Sequence, residues 1–110
     1  MFNQNPPVMI VRTHAVHFHP QQKLIQFLQD HLDKLETFYN RFQKSEVYLR
    51  VNNEPLNNKT VEIRLDLPGM QLFASRKAES FEAAIIGATN SLKSQLKKVK
   101  NKIVKKHQRG

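Results

Sequence analysis

The sequence contains no cysteine, no tryptophan and only three glycines, at positions 69, 87 and 110. Without cysteine there is no disulfide framework, thiolate metal site or thiol nucleophile, a composition that fits a reducing cytosol. Glycines this few and this far apart cannot form a phosphate-cradling loop, and no nucleophile elbow or Ser/His/Asp spacing is present. No catalytic residue and no cofactor is therefore expected, and an enzyme is disfavoured. No stretch approaches the roughly 20 apolar residues that a membrane span requires. Residues Met1–Pro7 carry neither positive charge nor an apolar run, so no secretory signal is expected, and the protein is read as soluble and cytoplasmic.

Acid is missing from one end. The last carboxylate is Glu82. Residues 1–90 hold ten Lys/Arg against nine Asp/Glu, whereas residues 91–110 hold eight Lys/Arg and no acid. The net charge of +9 thus sits almost entirely in the final fifth of the chain. Charge sorted in this way is a footprint for a polyanion: nucleic acid, an anionic membrane or an acidic protein.

With 110 residues, one domain is expected. Residues 1–7 read as a flexible leader, 8–106 as the folded domain and 107–110 as a tail. Val8–Thr13 suits a first strand, followed by a connection from His14 to His19. Pro20 stands where proline opens a helix. Leu24, Leu28, Leu32, Leu35 and Tyr39 recur at helical steps, with Asp30–Lys34 expected as a solvent-side pair. In Glu46–Val51, the residues Val47, Leu49 and Val51 alternate with Tyr48 and Arg50. In Thr60–Leu67, Val61, Ile63, Leu65 and Leu67 alternate with Glu62, Arg64 and Asp66. Asn52–Asn58 is turn chemistry, Pro68–Gly69 fits a type II turn, and Gln71–Lys77 follows as a last strand. Ser80 can cap a helix of some 25 residues whose inward series is Phe81, Ile85, Ala88, Leu92, Leu96, Val99 and Ile103. The expected fold is α+β in the order β-α-β-β-β-α, with a four-stranded sheet and two helices on one face.

The basic helix is the main functional signal. Lys93, Lys97 and Lys100 share a stripe, with Lys98 and Lys102 beside it and Lys105 and Lys106 beyond. A solvated helix ordinarily mixes signs, and this one does not. Arg76 and Lys77, at the end of the last strand, are candidates to extend the surface. The candidate polyanion-binding set, the RNA-binding set under the resemblance described below, is Lys93, Lys97, Lys98, Lys100, Lys102, Arg76 and Lys77. The apolar stripe of this helix also fits a short coiled-coil seam. His14, His17 and His19 lack nearby carboxylates in sequence, so no metal site is expected.

Several segments resemble one known family. Val16–Phe27 (VHFHPQQKLIQF), Lys34–Arg41 (KLETFYNR), Glu46–Leu49, Val61–Leu65 and Pro68–Ala74 are similar, in order and spacing, to the short ribosome hibernation-promoting factors, also called ribosome-associated translation inhibitors. Ser80–Ala84 and Ser91–Lys100 are similar to that family's last helix. The resemblance spans residues 8–106. It implies the same β-α-β-β-β-α fold and a partner in the small ribosomal subunit and its ribosomal RNA. There, family members overlap the messenger and transfer RNA paths. The basic carry-over falls on Lys97, Lys98 and Lys100. Two positions depart: Ile86 stands where the family has aspartate and Ser94 where it has arginine, the latter removing one expected RNA contact. The additional dimerisation domain of the long forms is not expected, so the protein should be monomeric off the ribosome. The competing classes are a generic double-stranded RNA- or DNA-binding module and an anionic-membrane binder.

Overall fold

The computed structural model describes the backbone of residues 10–109 and the side chains of residues 11–102. The expected leader therefore lies outside the described residues, as do Val8 and Met9 of the expected first strand. The order is β1 (Ile10–Val16), α1 (Gln22–Phe38), β2 (Lys44–Val51), β3 (Lys59–Leu67), β4 (Met70–Ala78) and α2 (Phe81–Arg109). One sheet carries the four strands in the order β1-β2-β3-β4. β1 runs parallel to β2, with Ile10 opposite Lys44 and Val16 opposite Arg50. β2, β3 and β4 form the antiparallel meander that their alternation predicts. A parallel pair needs a crossover, and α1 supplies it.

Alternation decides which face is covered. Val47 and Leu49 of β2, Val61, Ile63, Leu65 and Leu67 of β3, and Leu72 and Ala74 of β4 are buried. They meet Leu24, Leu28, Leu32 and Leu35 of α1 and Phe81, Ala84, Ile85, Ala88, Leu92 and Leu96 of α2 in one core. Each fully buried aliphatic side chain there contributes roughly 1.5–3 kcal/mol relative to exposure. The opposite face holds the alternate residues and stays wet.

The helices run in the same direction. Phe18, just before α1, stacks on Phe81 at the start of α2, with ring centroids 5.1 Å apart. At the other end, Lys100 of α2 reaches the carbonyl of Phe38, the last residue of α1. Ser80 caps α2 as expected, its Oγ accepting from the Ala83 N–H at 3.1 Å. Gly69 adopts φ +79° in the turn between β3 and β4, the conformation that its place after Pro68 predicts.

Four local expectations are corrected. β1 continues through His14, Ala15 and Val16, because the pairing to Tyr48, Leu49 and Arg50 extends it. Pro20 precedes the N-cap residue Gln21 instead of opening the helix; the bend at His17, with φ 66°, has already turned the chain. Val51 is 45% exposed at the end of β2, unlike Val47 and Leu49. The Asp30–Lys34 pair is not formed: Asp30 accepts from Gln26 Nε2 at 2.9 Å, and Asp33 likewise from Gln29. Ile103 of the inward series lies outside the described side chains, and Val99 is half-buried.

Candidate nucleic-acid interface

The basic segment lies in the second half of α2. Its apolar stripe is buried against β3, β4 and α1, leaving Ile86, 43% exposed, as the large apolar side chain open to solvent on the described part of the helix. From Phe81 to Leu96 that stripe is therefore occupied by the core and unavailable as a coiled-coil seam or a membrane-facing surface. No helix among the described residues is long and apolar enough to cross a membrane.

Lys93, Lys97, Lys98, Lys100 and Lys102 are all exposed. At 3.6 residues per turn they divide into two flanks of one ridge. Lys93, Lys97 and Lys100 stand on the α1 side. Lys100 Nζ donates to the Phe38 carbonyl at 3.2 Å and lies 4.3 Å from the centroid of the Phe38 ring; Lys93 Nζ lies 5.4 Å from the same ring. α1 has no basic residue in its last turn, so the Lys100 ammonium supplies the cation that the negative end of that helix dipole favours. Lys98 and Lys102 stand on the β4 side, with Gln95, whose amide donates to the Phe73 carbonyl of β4 at 3.0 Å. Lys97, Lys98 and Lys102 make no hydrogen bond or ion pair among the described residues. Ser94, exposed between them, adds no charge.

Arg76 and Lys77 part company, as neighbours on a strand must. Arg76 lies on the helix side. A Cβ on Gly87 would meet Arg76 Cγ at 3.2 Å, so the guanidinium stem crosses α2 where the helix has no side chain. Along the axis that crossing is six residues, or about 9 Å, from Lys93 and eleven residues, or about 16 Å, from Lys98. Lys77 faces the other side of the sheet and pairs with Glu54 at 2.9 Å. The structure thus gathers the five α2 lysines, places Arg76 beside the helix at Gly87, one to two turns before Lys93, and turns Lys77 away.

The wet face of the sheet is charged and, Arg12 apart, its cations are paired among the described residues. Glu46 meets His14 at 3.3 Å and Arg64 at 3.5 Å, Glu62 meets Arg50 at 3.6 Å, and Asp66 meets Lys44 at 3.7 Å. His14 also stacks on Tyr48, while His17 and His19 are exposed. No group of three metal-ligating side chains comes together among the described residues. The five exposed α2 lysines have no carboxylate partner among the described residues.

Residues 11–104 match the family model described as sigma 54 modulation protein / S30EA ribosomal protein. The chain belongs to this family. It is the hibernation-promoting factor family that the sequence segments resemble, and its members are ribosome-associated modulation factors. Among solved structures, the S30EA-family chain is similar to a ribosomal subunit interface protein from Coxiella burnetii. The TM-score is 0.77 at 16% identity, over 84% of this chain and 99% of that one. It is also similar to the N-terminal domain of Protein Y from Thermus thermophilus, with a TM-score of 0.71 at 20% identity, over 83% and 98% of the two chains. At such identities the likeness establishes the shared fold.

Sequence reasoning missed a groove between the helices of this S30EA-family domain, lined by His31, Lys34, Leu35, Thr89, Asn90 and Lys93. Lys34 was assigned to Asp30 by spacing alone. Its place next to Leu35, which is buried against α2, was the available signal.

Proposed function

We propose that this protein binds the small ribosomal subunit through its ribosomal RNA and blocks translation by lying across the messenger and transfer RNA paths. The observation that carries this reading is the ridge from Lys93 to Lys102, exposed and free of carboxylate partners, on a domain of the S30EA family. Phosphates meeting those ammoniums release counterions, which gives affinity without base readout. The printed name of the Coxiella relative, a ribosomal subunit interface protein, supports the choice of partner. The mechanism needs only binding in the cytoplasm by a single copy, with no catalysis and no cofactor.

Occlusion is tested by order of addition. Purified protein is added to small subunits, either empty or preloaded with messenger and initiator transfer RNA, and binding is followed by co-sedimentation. Cell-free translation is measured alongside. Empty subunits should bind the protein and lose translation, while preloaded subunits should be protected. Equal binding and inhibition in both states would overturn occlusion. Equal retention on naked duplex RNA would favour a generic RNA-binding module instead.

A further inference from the structure

The interhelical groove has chemistry that the lysine ridge lacks. It encloses about 110 Å³ between α1 and α2, with Leu35 and Thr89 at its floor. Thr89 is buried, and its hydroxyl donates to the Ile85 carbonyl at 2.8 Å. The polar groups left to a ligand are therefore Lys34, Lys93, Asn90 and His31. Lys34 is not held by Asp30, whose carboxylate accepts from Gln26. Two lysines thus line the groove and no carboxylate does.

His31 has a fixed orientation. Its Nδ1 lies 2.9 Å from the Phe27 carbonyl, and its ring packs on Phe27 with centroids 4.3 Å apart. A carbonyl only accepts, so Nδ1 donates, and in that tautomer Nε2 is the acceptor nitrogen. A groove offering two lysines, an amide and a ring acceptor suits a ligand with both an anionic group and a hydroxyl donor. A phosphodiester attached to a ribose has both, and deoxyribose lacks the hydroxyl.

We propose that this groove seats one ribonucleotide of the bound RNA, with the phosphate between Lys34 and Lys93 and the 2′-hydroxyl donating to His31 Nε2. The proposal rests on the RNA-binding reading above and adds discrimination of RNA from DNA, which the 2′-hydroxyl makes available. The lysine ridge binds phosphate in either polymer. The groove distinguishes the sugar.

The test uses the full chain with a labelled 12-nucleotide single-stranded RNA and its DNA counterpart, followed by anisotropy at moderate salt. Wild-type protein should prefer the RNA by roughly two- to tenfold, the value of one hydrogen bond. His31→Phe should remove the preference. Lys34→Gln, an exposed change that leaves the core untouched, should weaken binding of both polymers by a similar factor. In wild-type protein, the Asn90 side-chain amide resonance should shift when RNA saturates, a readout independent of any variant's folding. Absence of an RNA preference, a preference retained in folded His31→Phe, unchanged binding by Lys34→Gln or an unmoved Asn90 signal would each overturn the proposal. Co-sedimentation of the same proteins with small subunits separates the two readings. If wild type does not bind subunits, the ribosomal reading fails. If wild type, His31→Phe and Lys34→Gln bind them equally, the groove assignment fails alone.

Discussion

Replacing Lys97, Lys98 and Lys102 together by glutamine removes the three ridge cations that make no contact within the described fold. The consequence can be worked from the number of charges. Five described α2 lysines are exposed: Lys93, Lys97, Lys98, Lys100 and Lys102. If each neutralises one phosphate, the logarithm of the binding constant should fall with the logarithm of salt with a slope of about −3.5 to −4.5. Between 50 and 200 mM salt the wild-type affinity for small subunits should then drop roughly 100- to 500-fold. With two lysines left, the slope should be about −1.4 to −1.8, and the same salt step should cost only about tenfold. Titration of labelled protein with small subunits at fixed magnesium and stepped monovalent salt measures both slopes. Because the three side chains are exposed and unpaired, the thermal midpoint should not change, so lost binding cannot be attributed to unfolding. A wild-type slope near zero, or an unchanged slope in the triple variant, would refute the ridge as the contact surface.

Other changes separate core from surface. Leu92 is fully buried beneath the ridge, and Leu92→Ala should lower stability by roughly 2–5 kcal/mol in urea unfolding. Lys100→Gln should cost about 0.3–1 kcal/mol by removing the cation at the C-terminal end of α1, whereas Lys98→Gln should leave the urea midpoint unchanged. Gly87→Ala should stabilise α2 by up to about 1 kcal/mol through helix propensity, provided the exposed Arg76 stem shifts by a few tenths of an ångström; a lowered midpoint would show that it does not.

The elements that were legible in sequence are those whose burial is periodic. Val61, Ile63, Leu65 and Leu67 alternate because one face of β3 is covered, and Leu24, Leu28, Leu32 and Leu35 step by turns because one face of α1 is. The last part of β1 was not legible. His14, Ala15 and Val16 join the sheet through partners 34 residues later in the chain, with the His14 ring stacked on Tyr48. Long-range pairing of this kind leaves no local period. The α2 lysines were visible as a charge imbalance, which composition records directly. Their relation to α1 was not, because Lys100 meets Phe38 only after folding brings positions 62 residues apart together. Lys77 shows the opposite limit: on sequence it extends a basic surface, and in space Glu54 neutralises it.

The contrast between the largely paired sheet face and the bare α2 ridge also acts before any contact is made. A polyanion's field pulls on uncompensated charge and exerts little force on closely paired ions, so the molecule feels a torque as well as an attraction. It should turn during approach and arrive with the α2 ridge leading and the wet face of the sheet trailing. Fewer encounters are then wasted on wrong orientations, and association at low ionic strength can exceed the 10⁵–10⁷ M⁻¹s⁻¹ that is typical of unsteered docking. Pairing Glu46, Glu54, Glu62 and Asp66 with their cations thus does more than steady the sheet. It leaves the α2 ridge, with five exposed lysines between positions 93 and 102, as a place by which the molecule is caught.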